Sequence, residues 1–126
     1  MMPPPVPTTS EPGASASVHW LHGLYERIDA GDIDALRSFA TPQYHLRIPE
    51  LGVDIAGLEA VLAWLQVRGS QGRHRLQTIA EHPSFVVATL RLEGCDGAEP
   101  VEHCHVFTRT HDGLAACCVL SVLREG

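Results

Sequence analysis

The sequence predicts an α+β domain in which a curved antiparallel sheet wraps around three helices. Three observations predict it. Apolar residues recur at helical spacing up to residue 68, the period shortens to two beyond Gly72, and the connections within the second half are short and rich in turn residues. With 126 residues the chain fits one domain of ordinary size. At 44% hydrophobic and 19% charged residues it has enough apolar surface to bury a core.

Residues 1–14 are mostly Pro, Thr, Ser and Gly and read as a flexible leader, leaving 15–126 as the domain. Ser15 or Ser17 is placed to cap a first helix whose stripe is Val18, Leu21, Leu24, Tyr25 and Ile28. Ala30 and Gly31 end it. Asp32 is a good N-cap for a second short helix with Ile33, Leu36 and Phe39 inward, stopped at Thr41 and Pro42. Tyr44 to Ile48 is extended until Pro49, and Val53 to Ile55 adds a short strand. Leu58, Val61, Leu62 and Leu65 then follow the i, i+3, i+4, i+7 pattern of a helix over 57–68. Four strands are expected at 74–80, 85–93, 101–109 and 114–123. Their turns are His82-Pro83-Ser84, Gly94-Cys95-Asp96-Gly97 and His111-Asp112-Gly113, short enough for antiparallel hairpins.

Composition restricts the chemistry. All nine cationic side chains are arginine and none is lysine. Schiff-base and pyridoxal phosphate enzymes, Ser-Lys hydrolases and lysine phosphate clamps are therefore excluded. Eight histidines make imidazole and carboxylate the agents of any proton transfer near neutral pH. A formal net charge of −6 and the lack of a basic run argue against nucleic acid or an anionic membrane as partner. Arginine without lysine, with abundant Ala, Gly and Pro, is what GC-rich codons produce, and a bacterial source is expected. The start has neither a basic n-region nor an apolar h-region, and no stretch approaches the ~20 apolar residues of a membrane span, so a cytoplasmic setting is expected. Cys95, Cys104, Cys117 and Cys118 form no CxxC and no zinc spacing and read as reduced, mostly buried thiols.

The segment Leu24-Tyr25-Glu26-Arg27-Ile28-Asp29-Ala30-Gly31-Asp32-Ile33-Asp34-Ala35-Leu36 resembles the opening of SnoaL-like proteins of the nuclear transport factor two and ketosteroid isomerase superfamily. Gly57-Leu58-Glu59-Ala60-Val61 is similar to the family's later helix start. Val106 to Gly113 resembles its penultimate strand running into an Asp-Gly turn. The resemblance covers about residues 17–124. It implies a cone-shaped domain with a deep, mainly apolar pocket, often a homodimer packed sheet to sheet, needing no cofactor. Relatives include polyketide cyclases, ketosteroid isomerases, limonene epoxide hydrolases and scytalone dehydratase beside non-catalytic binding and scaffold proteins, so the fold leaves the chemistry open.

Position by position the transfer is partial. Ketosteroid isomerases carry an aspartate just before the proline that ends the first strand, where this chain has Ile48. Their pocket carboxyl on the penultimate strand falls on or beside His105, and their helix-one tyrosine within one position of Tyr25. The carboxylate of the polyketide-cyclase type has no counterpart in 114–123. The Asp-Arg-Asp set of the epoxide hydrolases cannot be assembled from pocket-facing strand positions.

Within 101–109, His103, His105, Phe107 and Arg109 share one strand face, with Glu102, Cys104, Val106 and Thr108 on the other. Two imidazoles at i and i+2 lie about 7 Å apart, close enough to address one ligand. On this reading His105 is the acid/base, kept near neutral and poised by burial, and His103 assists. The alternative is a pair of half-exposed strand histidines or a dimer interface. A metal held by the His-x-His pair with His74 is a weaker reading, because no Asp or Glu follows on that face, and no metal is expected. Tyr25 and Tyr44 could each donate to a developing oxyanion or be satisfied core phenols. His74, pointing with Leu76 and Thr78, either faces the pocket or is a solvated strand end. Trp64 and Phe107 are candidate pocket walls. Arg47 and Glu50 bracket the Pro49 turn as candidate rim residues or a surface ion pair. His19, His22, His82 and His111 are expected at the rim or surface. No G-x-S-x-G occurs and the thiols lack a stabilising cation, so nucleophilic catalysis is unsupported.

The reading is a small enzyme of secondary metabolism doing proton transfer (cyclisation, isomerisation or dehydration) on an apolar polyketide- or terpenoid-like molecule. The alternative is a non-catalytic ligand-binding or dimeric scaffold protein of the same fold, with an epoxide hydrolase as a weaker third.

Overall fold

The computed structural model describes residues 19–69, 72–94 and 99–122. The proposed leader, Ser15, Ser17, Val18 and Cys95 lie outside them. Helix α1 spans Trp20–Asp29, helix α2 Leu58–Arg68, and a 3-10 helix, Ile33–Ser38, lies between them. Strands are β1 Ala40–Ile48, β2 Val53–Ala56, β3 Arg73–His82, β4 Phe85–Glu93, β5 Val101–Thr110 and β6 Gly113–Ser121. A second 3-10 turn, Pro49–Leu51, separates β1 from β2.

The six strands form one sheet in the order β2-β1-β6-β5-β4-β3. All neighbours are antiparallel except β1 and β6, which run parallel, so the sheet is mixed rather than wholly antiparallel. The reason is connectivity. A parallel neighbour needs a long crossover, and β2, α2 and the β3–β5 meander supply it. Chain order exposes only consecutive hairpins, and the pairing of β1 with the last strand carries no local signal. The sheet is curved and open, with its helices on one side.

Several boundaries differ from the sequence expectation. The described part of α1 is capped by His19, whose Nδ1 accepts from the Leu21 N–H at 3.2 Å. Asp32 precedes the 3-10 helix but makes no cap hydrogen bond, because its carboxylate is taken by Arg27 at 3.0 and 3.2 Å. The helix is 3-10 rather than α, and β1 begins at Ala40, with Pro42 inside it where the pairing to β6 is irregular.

Two bulges set which side chains face inward. On β3, Leu76 pairs with Leu90 and Thr78 with Thr89, so Gln77 is the extra residue. The parity flips there, and Thr78 joins Thr89 Oγ1 at 2.6 Å instead of following His74 and Leu76. On β6 the skipped residue is Ala115, which lets Leu114 and Cys117, three apart, both face the core. The core lies between the inner sheet face, with Leu46, Val86, Ala88, Leu90 and Phe107, and the helices, with Leu21, Leu24, Leu36, Val61 and Leu62. No helix among the described residues is long and apolar enough to cross a membrane.

Candidate active site

A cavity of about 270 Å³ opens between the inner sheet face and the helices. Leu24, Ile28, Leu36, Leu46, Val61 and Leu65 supply apolar wall, and Trp64 lines it from α2. The inner polar part of the wall comes from α1 and the strands: Tyr25, Asp29, Tyr44, His74, His103, His105 and Cys117, with Phe107 among them, while Gln66 and Arg68 line the cavity from the end of α2.

Helical spacing builds the first part of this wall. Tyr25 and Asp29 are i and i+4 on α1 and therefore share a face. An acidic side chain in the last turn of a helix sits at the negative end of the helix dipole and needs compensation. His74 provides it. The Asp29 carboxylate accepts the His74 backbone N–H at 2.8 Å and bonds His74 Nδ1 at 2.6 Å. Both side chains are mostly shielded from solvent. Against a carboxylate Nδ1 is the donor, and Nε2 is the ring nitrogen outside this bond.

Tyr25 stacks on the His74 ring, with centroids 4.7 Å apart and planes 12° from parallel. Its phenol hydrogen-bonds His105 Nδ1. His105 lies 6.1 Å from the His74 ring centroid and 5.8 Å from that of His103. Asp29, His74, Tyr25, His105 and His103 thus form a continuous chain of contacts along one wall. On the neighbouring strands β1 and β6, Tyr44 and Cys117 hydrogen-bond one another through their side chains.

Burial decides the protonation of this wall. It drives His105 down to about 3, helped by the charge His74 and His103 would carry, so the imidazole is neutral near pH 7. The expected poise near neutrality is not what burial produces here; with Tyr25 on Nδ1, the site makes His105 a hydrogen-bonding group. His103, half-buried, is lowered by desolvation and by His74, with Glu50 opposing. Burial, then the charges of Cys117 and Asp29, pushes Tyr25 well above the usual phenol range, and Tyr44 likewise rises by burial and Cys117. Cys117 is pushed up to about 12 by burial and is a protonated thiol. Among the described residues no three His, Cys, Asp or Glu side chains are arranged to hold a metal ion.

Of the sequence candidates, His103, His105, Tyr25, Tyr44, Trp64, His74 and Phe107 line the cavity. Arg47 and Glu50 do not. Arg47 alternates with Leu46 and Ile48 on β1 and is exposed on the other face, and Glu50 bonds Ser121 Oγ at the surface. Arg109 stays on the inner face of β5 with Phe107, beyond the cavity, and pairs at 2.7 Å with Glu81, which lies opposite the buried Val86 of β4. Glu81 also holds His19 at 2.9 Å and Trp20 at 3.2 Å, and these bonds hold its carboxyl at about 2 despite burial. Asp29 and Cys117 were not singled out from the sequence. The i, i+4 relation of Asp29 to Tyr25 was the available signal.

The SnoaL-like domain profile matches residues 21–117. The chain belongs to the SnoaL-like domain family. Solved structures share the fold of this SnoaL-like domain at low identity. An NTF-2 like protein of unknown function from Burkholderia xenovorans LB400 superposes with a TM-score of 0.73 at 13% identity, covering 84% of this chain and 82% of that one. A protein assigned by name to the SnoaL-like polyketide cyclases, from Jannaschia sp. CCS1, gives 0.69 at 17% identity over 80% and 81% of the two chains. One assigned by name to the ketosteroid isomerases, from Kribbella flavida DSM 17836, gives 0.70 at 9% identity over 84% and 77%. No curated protein matches the sequence of the SnoaL-like domain.

Proposed function

We propose that this SnoaL-like domain is a cofactor-independent enzyme of secondary metabolism that moves protons on an apolar polyketide- or terpenoid-like substrate. The observation that carries this is the Asp29–His74 pair, a carboxylate-oriented imidazole set in an apolar cavity beside two phenols. In this reading His74 Nε2 removes a proton from carbon next to a substrate carbonyl, and Asp29 stabilises the imidazolium that forms. The electron pair passes to the carbonyl oxygen as an enolate. Tyr25 and neutral His105 share two protons, of which one is spent on their mutual hydrogen bond and the other is left to donate to that oxygen. Reprotonation at another carbon completes an isomerisation, and attack on a second carbonyl carbon completes a cyclisation. Expulsion of a hydroxyl as water, with the proton coming from His103, completes a dehydration.

The test is deuterium exchange at the α-carbon of a bound ketone in D₂O, followed by NMR, for the native chain and His74→Gln. Exchange catalysed by the native chain and lost in the variant supports the reading; equal rates refute it. The second reading, a non-catalytic binding protein, draws on Ile48 standing where the ketosteroid isomerases have aspartate. It predicts binding with no exchange. The reading includes a homodimer in which the outer sheet face, carrying Cys104, Val106, Cys118 and the exposed Leu120, is covered by a second copy. Sedimentation equilibrium tests that part.

A further inference from the structure

The dimensions of the cavity and the charges on its polar wall restrict what can occupy it. An apolar cavity of roughly 150 Å³ holds one benzene ring. The cavity here, about 270 Å³, has room for about two fused rings. Its inner end does not yield readily: Leu24, Val61 and Phe107 are 2%, 1% and 3% exposed, and close-packed interiors resist expansion. Beyond the mouth the described residues supply no further wall for a third or fourth ring, which then adds little affinity.

Away from Gln66 and Arg68 at the end of α2, the polar groups of the wall are phenols, imidazoles and a thiol, with one carboxylate. Asp29 is already engaged twice by His74. Arg68 also lines the cavity, but at the exposed end of α2, its guanidinium 4.9 Å from the Trp64 ring centroid. A ligand carboxylate at the polar wall would lose its hydration and meet Asp29, and no arginine among the described residues lies at that wall to offset the loss. A carbonyl or hydroxyl group would instead meet the donor left over by Tyr25 and His105.

We infer that the ligand of this cavity is an uncharged ketone or its enol, of two fused rings, with its oxygen at the Tyr25–His105 pair and its far ring toward Trp64. The assignment of that oxygen to the reacting end rests on the proton-transfer reading above; the limits of size and charge do not.

The experiment is calorimetric titration of the full chain with four probes: 2-cyclohexenone, 1-tetralone, a four-ring 3-ketosteroid and 2-naphthoate. 1-Tetralone is expected to bind about tenfold or more tightly than 2-cyclohexenone, with the steroid no tighter than 1-tetralone and 2-naphthoate at least about tenfold weaker. A steroid tighter than 1-tetralone, 2-naphthoate as tight as 1-tetralone, or no neutral probe binding below about 1 mM overturns the inference. Deuterium exchange into bound 1-tetralone separates the two levels. The expected order of affinities without exchange leaves the size and charge limits standing and removes the proton-transfer reading. Exchange with a reversed order removes the limits and keeps that reading.

Discussion

Asp29, the last residue of α1, accepts two hydrogen bonds from His74, the second residue of β3, one from its backbone N–H and one from its imidazole. Forty-five positions separate them in the chain. The first bond fixes where the strand starts relative to the helix, and the second fixes the orientation and tautomer of the ring. Helix, strand and candidate base are therefore registered by a single carboxylate.

Asp29→Asn keeps the shape of that carboxylate and removes its charge. The imidazolium formed during proton abstraction then loses its counter-ion, and the exchange rate of a bound ketone is expected to fall about 100-fold. Affinity for the ketone, measured by calorimetry, should stay within about threefold, because Asp29 acts through His74.

Tyr25→Phe deletes a phenol whose partner, His105 Nδ1, is buried. Leaving that nitrogen unpaired should cost about 1–3 kcal/mol in urea unfolding. The loss of a donor at the developing oxyanion should slow exchange by a further 10²-fold or so.

The protein should lose stability as pH falls below about 6.5. His105 titrates at about 3 in the folded chain against 6.5 when unfolded. Between those values the unfolded chain binds the extra proton, so stability rises with pH and is complete above 6.5. The slope due to His105 approaches about 1.4 kcal/mol per pH unit. Glu81, held at about 2 against 4.5, contributes stability above 4.5 that is lost as pH falls through 2. The window from 6.5 to 4.5 therefore isolates the histidines. Unfolding curves of His105→Gln, which keeps a hydrogen-bonding side chain, should be flatter there than those of the native chain.

Gly72→Ala tests the cavity rim. Gly72 has φ of +133°, and a Cβ would lie 2.2 Å from the Glu93 carbonyl oxygen, which is backbone and cannot swing aside. A loss of about 1–3 kcal/mol is expected in a thermal or urea melt.

Arg47→Ala is the contrasting case. Its side chain lies outside the cavity on the exposed face of β1. Stability should change by no more than about 0.5 kcal/mol, and ketone binding, measured by the same titration, should not change.

The elements themselves are largely readable in the chain. The Leu58, Val61, Leu62, Leu65 spacing locates α2 to within one residue, and the four later strands fall within two residues of their expected ends. The face of β5 follows from alternation alone, which puts His103, His105 and Phe107 together on the cavity side. Alternation fails after Gln77 on β3 and after Ala115 on β6, where β-bulges insert a residue and reverse the parity, so that Thr78 turns outward and Leu114 and Cys117 both turn inward. Bulges carry no reliable local signature, so neither is visible in a single sequence.

Local periodicity, turn residues and composition suffice for the α+β class, the positions of α2 and the four later strands, and the limits on chemistry. The parallel pairing of β1 with β6, the joining of Asp29 to His74 and the lowering of the His105 pKa depend on contacts between distant segments. Burial sets the last of these: the imidazole is expensive to charge only because helices close over the sheet, and no spacing along the chain encodes that enclosure.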